Sequence, residues 1–184
     1  MSVVATSAAE EEADYFASFG IERRYAIDRE TLDRRYFELS RDAHPDRVAG
    51  STTREMRLAV ERSSRINVAY RILRDPVKRA EYLVKLGGID LDRTGGEGGA
   101  PDPGQAFLVE MVELRESLEE ASSSGPAALD RLRASIESRS EDSLDAGIDA
   151  IEDDDIRGAA MHLVIHRYLQ RFLDEVDAEA GPDD

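Results

Sequence analysis

The triplet His44-Pro45-Asp46 most constrains how this chain can fold, because it interrupts two runs of helical pattern. Pro45 lacks the backbone N–H that a continuing helix would donate. It also disfavours the α conformation for His44, so the first run should end there. That run opens at Asp28, an N-cap with Glu30 in the first turn. Leu32, Tyr36, Leu39 and Ala43 then recur at spacings of four, three and four, which is one face of a helix. Beyond the triplet, Thr52 and Glu55 fit a capping box. Met56, Ala59, Val60, Ser63, Ile66, Asn67, Tyr70 and Leu73 carry a helical period on to Arg74. Two helices joined by so short a loop pack antiparallel, and the loop shows one imidazole and one carboxylate at the tip of the hairpin.

Helical signals continue on both sides. Tyr15, Phe16 and Phe19 form a short apolar helix at about 13–18, with Gly20 placed to close it. Asp75-Pro76 is an N-cap followed by Pro at the first helical position, and Val77, Ala80, Leu83 and Leu86 lead to Gly87-Gly88. Residues 94–104, TGGEGGAPDPG, have the punctuation of a linker. Three longer helical segments follow, at about 105–121, 127–151 and 155–178. The acidic run Glu152 to Asp155 marks the start of the last one by its charge. Short connections between three long helices predict an antiparallel three-helix bundle. No segment carries a convincing strand period, so the chain reads as all-α. The expected organisation is an acidic tail over 1–12, a helical domain over 13–93, a linker over 94–104, a bundle over 105–180 and a tail over 181–184.

Charge divides the chain unevenly. The net charge is −16, yet residues 1–92 hold 16 Lys+Arg against 17 Asp+Glu, whereas residues 93–184 hold 8 against 23. That asymmetry suggests two units facing different partners, and it makes nucleic acid an unsuitable partner for the second half. Arg34, Arg35 and Arg41 lie off the apolar stripe beside the triplet, as a patch able to steer an acidic surface onto it. With no cysteine there is no disulfide framework, thiolate nucleophile or Cys-ligated metal. His162 and His166 stand four apart, but no Glu follows the first and no third ligand is evident, so no cofactor or metal is expected. His44 and Asp46 have neither a nucleophile nor a phosphate-binding glycine loop beside them, so an enzyme is not expected either. No apolar run reaches membrane-spanning length, and the acidic N-terminus suits neither a secretory nor a mitochondrial signal; the expectation is cytoplasmic.

Four short helices with His-Pro-Asp between the second and third resemble a J domain. Three strings narrow the resemblance to the HscB family of iron–sulfur co-chaperones: Asp14-Tyr15-Phe16 with Phe19-Gly20-Ile21, the run from Ile66 to Pro76 with Arg79-Ala80-Glu81-Tyr82-Leu83, and the run from Phe107 to Glu120. The resemblance implies a protein without chemistry of its own. Its J domain would bind an HscA/DnaK-type chaperone and promote ATP hydrolysis through His44, Pro45 and Asp46, helped by Arg34, Arg35 and Arg41. Its C-terminal bundle would carry an IscU-like scaffold protein on Leu108, Val109, Val112, Glu113, Glu116 and Glu120, with Tyr168 on the last helix. Residues 108, 112 and 116 fall near one helical face with 109, 113 and 120 beside it, a mixed apolar and acidic stripe. Arg47 stands where the family usually has Lys, and Val109 and Val112 where larger apolar residues are usual. The lack of a cysteine-rich N-terminal module favours a bacterial type. Two alternatives stand beside this reading: a J-domain co-chaperone for a different client, and a structural helical protein with no chaperone partner.

Overall fold

Local capping sets the ends of most elements. The computed structural model describes residues 14–44 and 52–180, which hold seven helices and two very short strands. The helices are α1 (Tyr15–Phe19), α2 (Arg29–Asp42), α3 (Thr53–Arg74), α4 (Pro76–Leu86), α5 (Gln105–Ser124), α6 (Pro126–Glu152) and α7 (Ile156–Ala180). The Asp28 carboxylate accepts from the Thr31 N–H at 3.0 Å and starts α2. At α3 the capping box is complete, with Thr52 and Glu55 each accepting from the other's backbone N–H. Asp75 accepts from the Lys78 N–H at 3.0 Å ahead of Pro76. Gly20 closes α1 at φ 63°, a left-handed conformation that favours glycine. Residues 1–12, Pro45, Asp46, Arg47 and 181–184, for which the sequence raises expectations, lie outside the described residues.

The chain divides into two compact units, Met1–Arg79 and Ala80–Asp184. In the first, Asp33 accepts from the Tyr70 hydroxyl and the Tyr36 hydroxyl donates to Asn67, both at 2.8 Å. Since 33 pairs with 70 and 36 with 67, α2 and α3 run antiparallel. The rings of Tyr36 and Tyr70 stack with centroids 4.0 Å apart. Phe16, Phe19, Leu32, Ala43, Ile66, Ala69 and Leu73 are buried and form the core of this unit. Each of the two phenylalanines contributes about 1.5–3 kcal/mol by leaving water.

In the second unit α5, α6 and α7 run up, down and up. Glu110 on α5 pairs with Arg139 on α6. Arg133 and Ser143 of α6 meet Asp177 and the carbonyl of His162 on α7, which fixes α6 and α7 as antiparallel. Phe107, Met111, Leu118, Leu129, Ile136, Leu169, Phe172 and Val176 are part of the bundle core. Buried Ser140 meets His166 Nδ1 with both its hydroxyl (2.9 Å) and its carbonyl (3.0 Å), so that histidine is a satisfied core residue. Asp155 alone of the acidic run caps α7, accepting from the Gly158 N–H at 2.9 Å. Glu152 instead ends α6, and Asp154 adopts φ 60° between the two helices.

The stretch expected as a linker carries a short local pairing: β1 (Asp90–Thr94) and β2 (Gly99–Ala100) pair in the parallel sense across an irregular register. Gly95, Gly96 and Gly98 all have positive φ, which lets the chain fold back so that the Asp90 N–H donates to the Gly98 carbonyl at 2.8 Å. The compact units also divide earlier than that stretch, between Arg79 and Ala80. Ala80, Leu83, Val84 and Leu91 are buried within the second unit, and Arg167 of α7 ties Glu81 and the Leu91 carbonyl to it.

Candidate functional site

The expected chaperone-facing residues lie on the outer side of α2 and just beyond its end. Leu32 is buried and Tyr36 locks onto α3, so the α2–α3 contact consumes one face of α2 and turns the opposite face to solvent. Arg34, Arg41 and His44 are exposed on that side, and Arg35, also exposed, flanks the apolar stripe between Leu32 and Leu39. His44 follows Ala43, whose N–H donates to the Leu39 carbonyl as the helix closes. The basic patch is less positive than its arginines suggest. Arg35 pairs with Glu38 at 3.2 Å, Arg41 approaches Asp42 at 3.8 Å, and Arg34 donates to Thr31. Over Arg29–Asp42 the four arginines are balanced by Glu30, Asp33, Glu38 and Asp42.

The α5 residues form a second surface. Phe107, Met111, Leu118 and Ala121 face the bundle core, so the other side of the helix is exposed. Leu108, Val109 and Val112 are 43%, 51% and 54% exposed, an unusual accumulation for aliphatic side chains on one helix. Glu113, Glu116 and Glu120 are exposed alongside them. Gln105–Ser124 holds five glutamates against one arginine, so the apolar strip has an acidic surround. Tyr168 is set differently. It is half-buried against the bundle core, with its ring edge-on to Phe107 at 5.6 Å between centroids. The structure therefore joins six of the seven expected scaffold residues on α5 and gives the seventh a packing contact.

Among the described residues no group of three His, Asp or Glu side chains is placed to hold a metal ion. Tyr70 is pushed up by the hydrogen bond its hydroxyl makes to Asp33, and serves to join α2 to α3. Phe37 and Leu58 are large apolar residues outside the apolar stripes of their helices, and both are exposed. Phe37 is 70% exposed one turn from Arg41, and an aromatic residue off the core stripe gives no helical-period signal.

Both halves match described families. Residues 14–82 match the DnaJ domain, and residues 104–177 match the HSCB C-terminal oligomerisation domain. A DnaJ domain followed by that C-terminal domain defines the class: a J-domain co-chaperone. The chain is 38% identical over 168 residues to the co-chaperone protein HscB homolog of Cupriavidus taiwanensis, covering 88% of this chain and 92% of that one. It is 32% identical over 169 residues to the Azoarcus counterpart, covering 90% and 93%. Chaperone HscB from Vibrio cholerae has a similar structure, with a TM-score of 0.72 at 29% identity over 90% of this chain and 96% of that one. Human co-chaperone HscB gives a TM-score of 0.76 at 27% identity over 94% and 85%. The chain belongs to the HscB co-chaperone family.

Proposed function

We propose that this protein stimulates the ATPase of an HscA/DnaK-type chaperone through the His44-Pro45-Asp46 loop and brings it an IscU-like scaffold held on α5, so assisting iron–sulfur cluster maturation. The observation that carries the reading is the pairing, in one chain of the HscB family, of a DnaJ domain with an α5 surface whose aliphatic residues are turned to solvent. Function then divides as the sequence does: a J domain over 13–93 and a client-bearing bundle over 105–180. The co-chaperone supplies no catalytic group. It binds preferentially to the hydrolysis-competent arrangement of the chaperone, and that preference alone shifts the population and raises the rate. Leu108, Val109 and Val112 supply desolvation energy to the scaffold, while Glu113, Glu116 and Glu120 select a partner with a basic rim. Tyr168 supports that surface by holding Phe107, the neighbour of Leu108. The work takes place in the cytoplasm, consistent with the absence of any helix, among the described residues, long and apolar enough to cross a membrane.

The test is steady-state ATP hydrolysis by the organism's own HscA- or DnaK-type chaperone, with this protein, with and without the scaffold. His44→Gln should abolish stimulation, and Leu108→Ala/Val112→Ala should abolish only the synergy with scaffold. Stimulation without any scaffold synergy would assign the bundle to a different client. No stimulation of a chaperone shown to be active would leave a helical protein of J-like shape.

A further inference from the structure

The face of α2 that carries His44 also carries a large, exposed apolar group. Of the five phenylalanines in the chain, Phe16, Phe19, Phe107 and Phe172 are buried, whereas Phe37 is 70% exposed. Phenylalanine is a poorer helix former than Lys or Glu, so a solvent-facing helical position does not favour it for stability. Its direction is fixed by its neighbour: Tyr36 is stacked on Tyr70 and bonded to Asn67, which points the next side chain away from α3. Phe37, Arg41 and His44 follow at helical spacings of four and three, and together with Ser40 and Asp42 they line one shallow concavity of about 690 Å³.

Electrostatics gives this position further weight. The arginines of α2 are cancelled in number by its carboxylates, and two of them are engaged with those carboxylates directly. A helix with no net charge steers an acidic partner weakly beyond a Debye length of about 10 Å. Affinity on this face must then come mainly from short-range contact. Aromatic side chains that become fully desolvated are the groups most able to provide it.

We infer that Phe37 is an apolar anchor for the HscA/DnaK-type chaperone, inserting into a non-polar depression beside the surface that receives His44, and that it sets affinity while the His-Pro-Asp loop sets the hydrolytic effect. This inference rests on the chaperone reading above. The occupant follows from continuity, since Phe37 and His44 border the same concavity.

The experiment uses the full-length protein and the organism's own chaperone in its ATP-bound state. ATPase stimulation is titrated against co-chaperone concentration, binding is measured directly, and the co-chaperone alone is sedimented. Phe37→Ala should raise both the half-maximal concentration and Kd about tenfold while the stimulated ceiling is reached at higher concentration. Phe37→Leu, which keeps an apolar side chain, should raise them only about two- to threefold. His44→Gln should instead lower the ceiling. Circular dichroism checks that the helix content of each variant is retained. Unchanged affinity in Phe37→Ala would overturn the proposal. So would a wild-type dimer that Phe37→Ala dissociates without any change in chaperone affinity, since the occupant would then be a second copy. If the wild type binds without stimulating, the ATPase reading fails and a tenfold change in Kd still sustains the anchor. If the wild type does not bind at all, both are overturned.

Discussion

Replacing Arg167 with Ala should destabilise the second unit by about 2–3 kcal/mol. The guanidinium of Arg167 pairs with Glu81, donates to the Leu91 carbonyl at 3.1 Å and reaches Asp92 at 3.0 Å. The side chains of Arg167 and Glu81 are only 30% and 22% exposed, whereas Asp92 is 79% exposed. The hydrogen bond to Glu81, more than any other contact, holds the guanidinium protonated above its ordinary range. Removing Arg167 strands a largely buried carboxylate and one backbone carbonyl. Breaking a fully buried pair costs about 3–5 kcal/mol and an exposed one under about 1, which places this site between the two. Asp92→Ala should therefore cost less than about 0.5 kcal/mol. Arg167→Lys should recover only part of the loss, because a point-like ammonium cannot serve three acceptors in the fixed fork of a guanidinium. Urea titration followed by circular dichroism measures each variant, and a double-mutant cycle with Glu81→Gln should return a coupling of about 1–2 kcal/mol. At this chain length 2 kcal/mol corresponds to a fall in Tm of roughly 4–8 °C. The reasoning fails if Arg167→Ala costs under about 0.5 kcal/mol, or if Asp92→Ala costs as much as Glu81→Gln.

The helix caps predict an acid-side loss of stability in the first unit. Hydrogen bonds from Thr31 lower Asp28 below its ordinary 3.8, and those from Thr52 lower Glu55 below 4.5, so their stabilisation is full above those values and disappears as pH falls through the lower folded values. Thermal melts of Asp28→Asn/Glu55→Gln, which keeps cap-competent groups without the titration, should show a shallower acid-side loss than wild type. Gly87→Ala should destabilise by about 1–2 kcal/mol, since its Cβ would stand 2.7 Å from Ile156 Cγ2, and Gly87→Ala/Ile156→Ala should cost less than the sum of the singles. Raising salt from about 0.05 to 0.5 M should weaken scaffold binding at the acid-flanked α5 strip several-fold and alter chaperone binding at neutral α2 by under about twofold, measured by calorimetry.

What could be read in the sequence was what neighbouring residues decide. Asp28, Thr52 with Glu55, Asp75-Pro76 and Gly20 all act within a few residues of themselves, and each sets a helix end where its spacing placed it. The core and solvent faces of α5 separate as the period requires. The pairing at the 94–104 stretch is not legible locally, because glycine signals conformational freedom without saying which conformation is taken. Its path uses positive φ at Gly95, Gly96, Gly98 and Gly104, and Arg167, more than sixty residues further on, bonds Leu91 and Asp92 just before it. Tyr168 could be placed on α7 by period, but its contact with Phe107 depends on how α5 and α7 meet. Phe37 was passed over because a search for apolar stripes discards the apolar residue that falls outside one.

The Arg79-Ala80-Glu81-Tyr82-Leu83 string, which in the sequence marked family membership, has a physical explanation in the fold. Arg79 donates to the Leu73 carbonyl and lies over the Tyr25 ring with its guanidinium carbon 4.6 Å from the centroid, so it secures the first unit. Ala80 is fully buried, Leu83 is buried, and Glu81 carries the ion pair to Arg167 of the second unit. Neighbouring residues of α4 thus have distinct duties: Arg79 holds a carbonyl and a ring, Ala80 and Leu83 are buried, and Glu81 carries an ion pair. The two proposed surfaces differ chemically. On α2 the ions are balanced, leaving shape and one aromatic to discriminate. On α5 the carboxylates are in excess, so under the proposed function charge would select the partner and the exposed aliphatic residues would hold it.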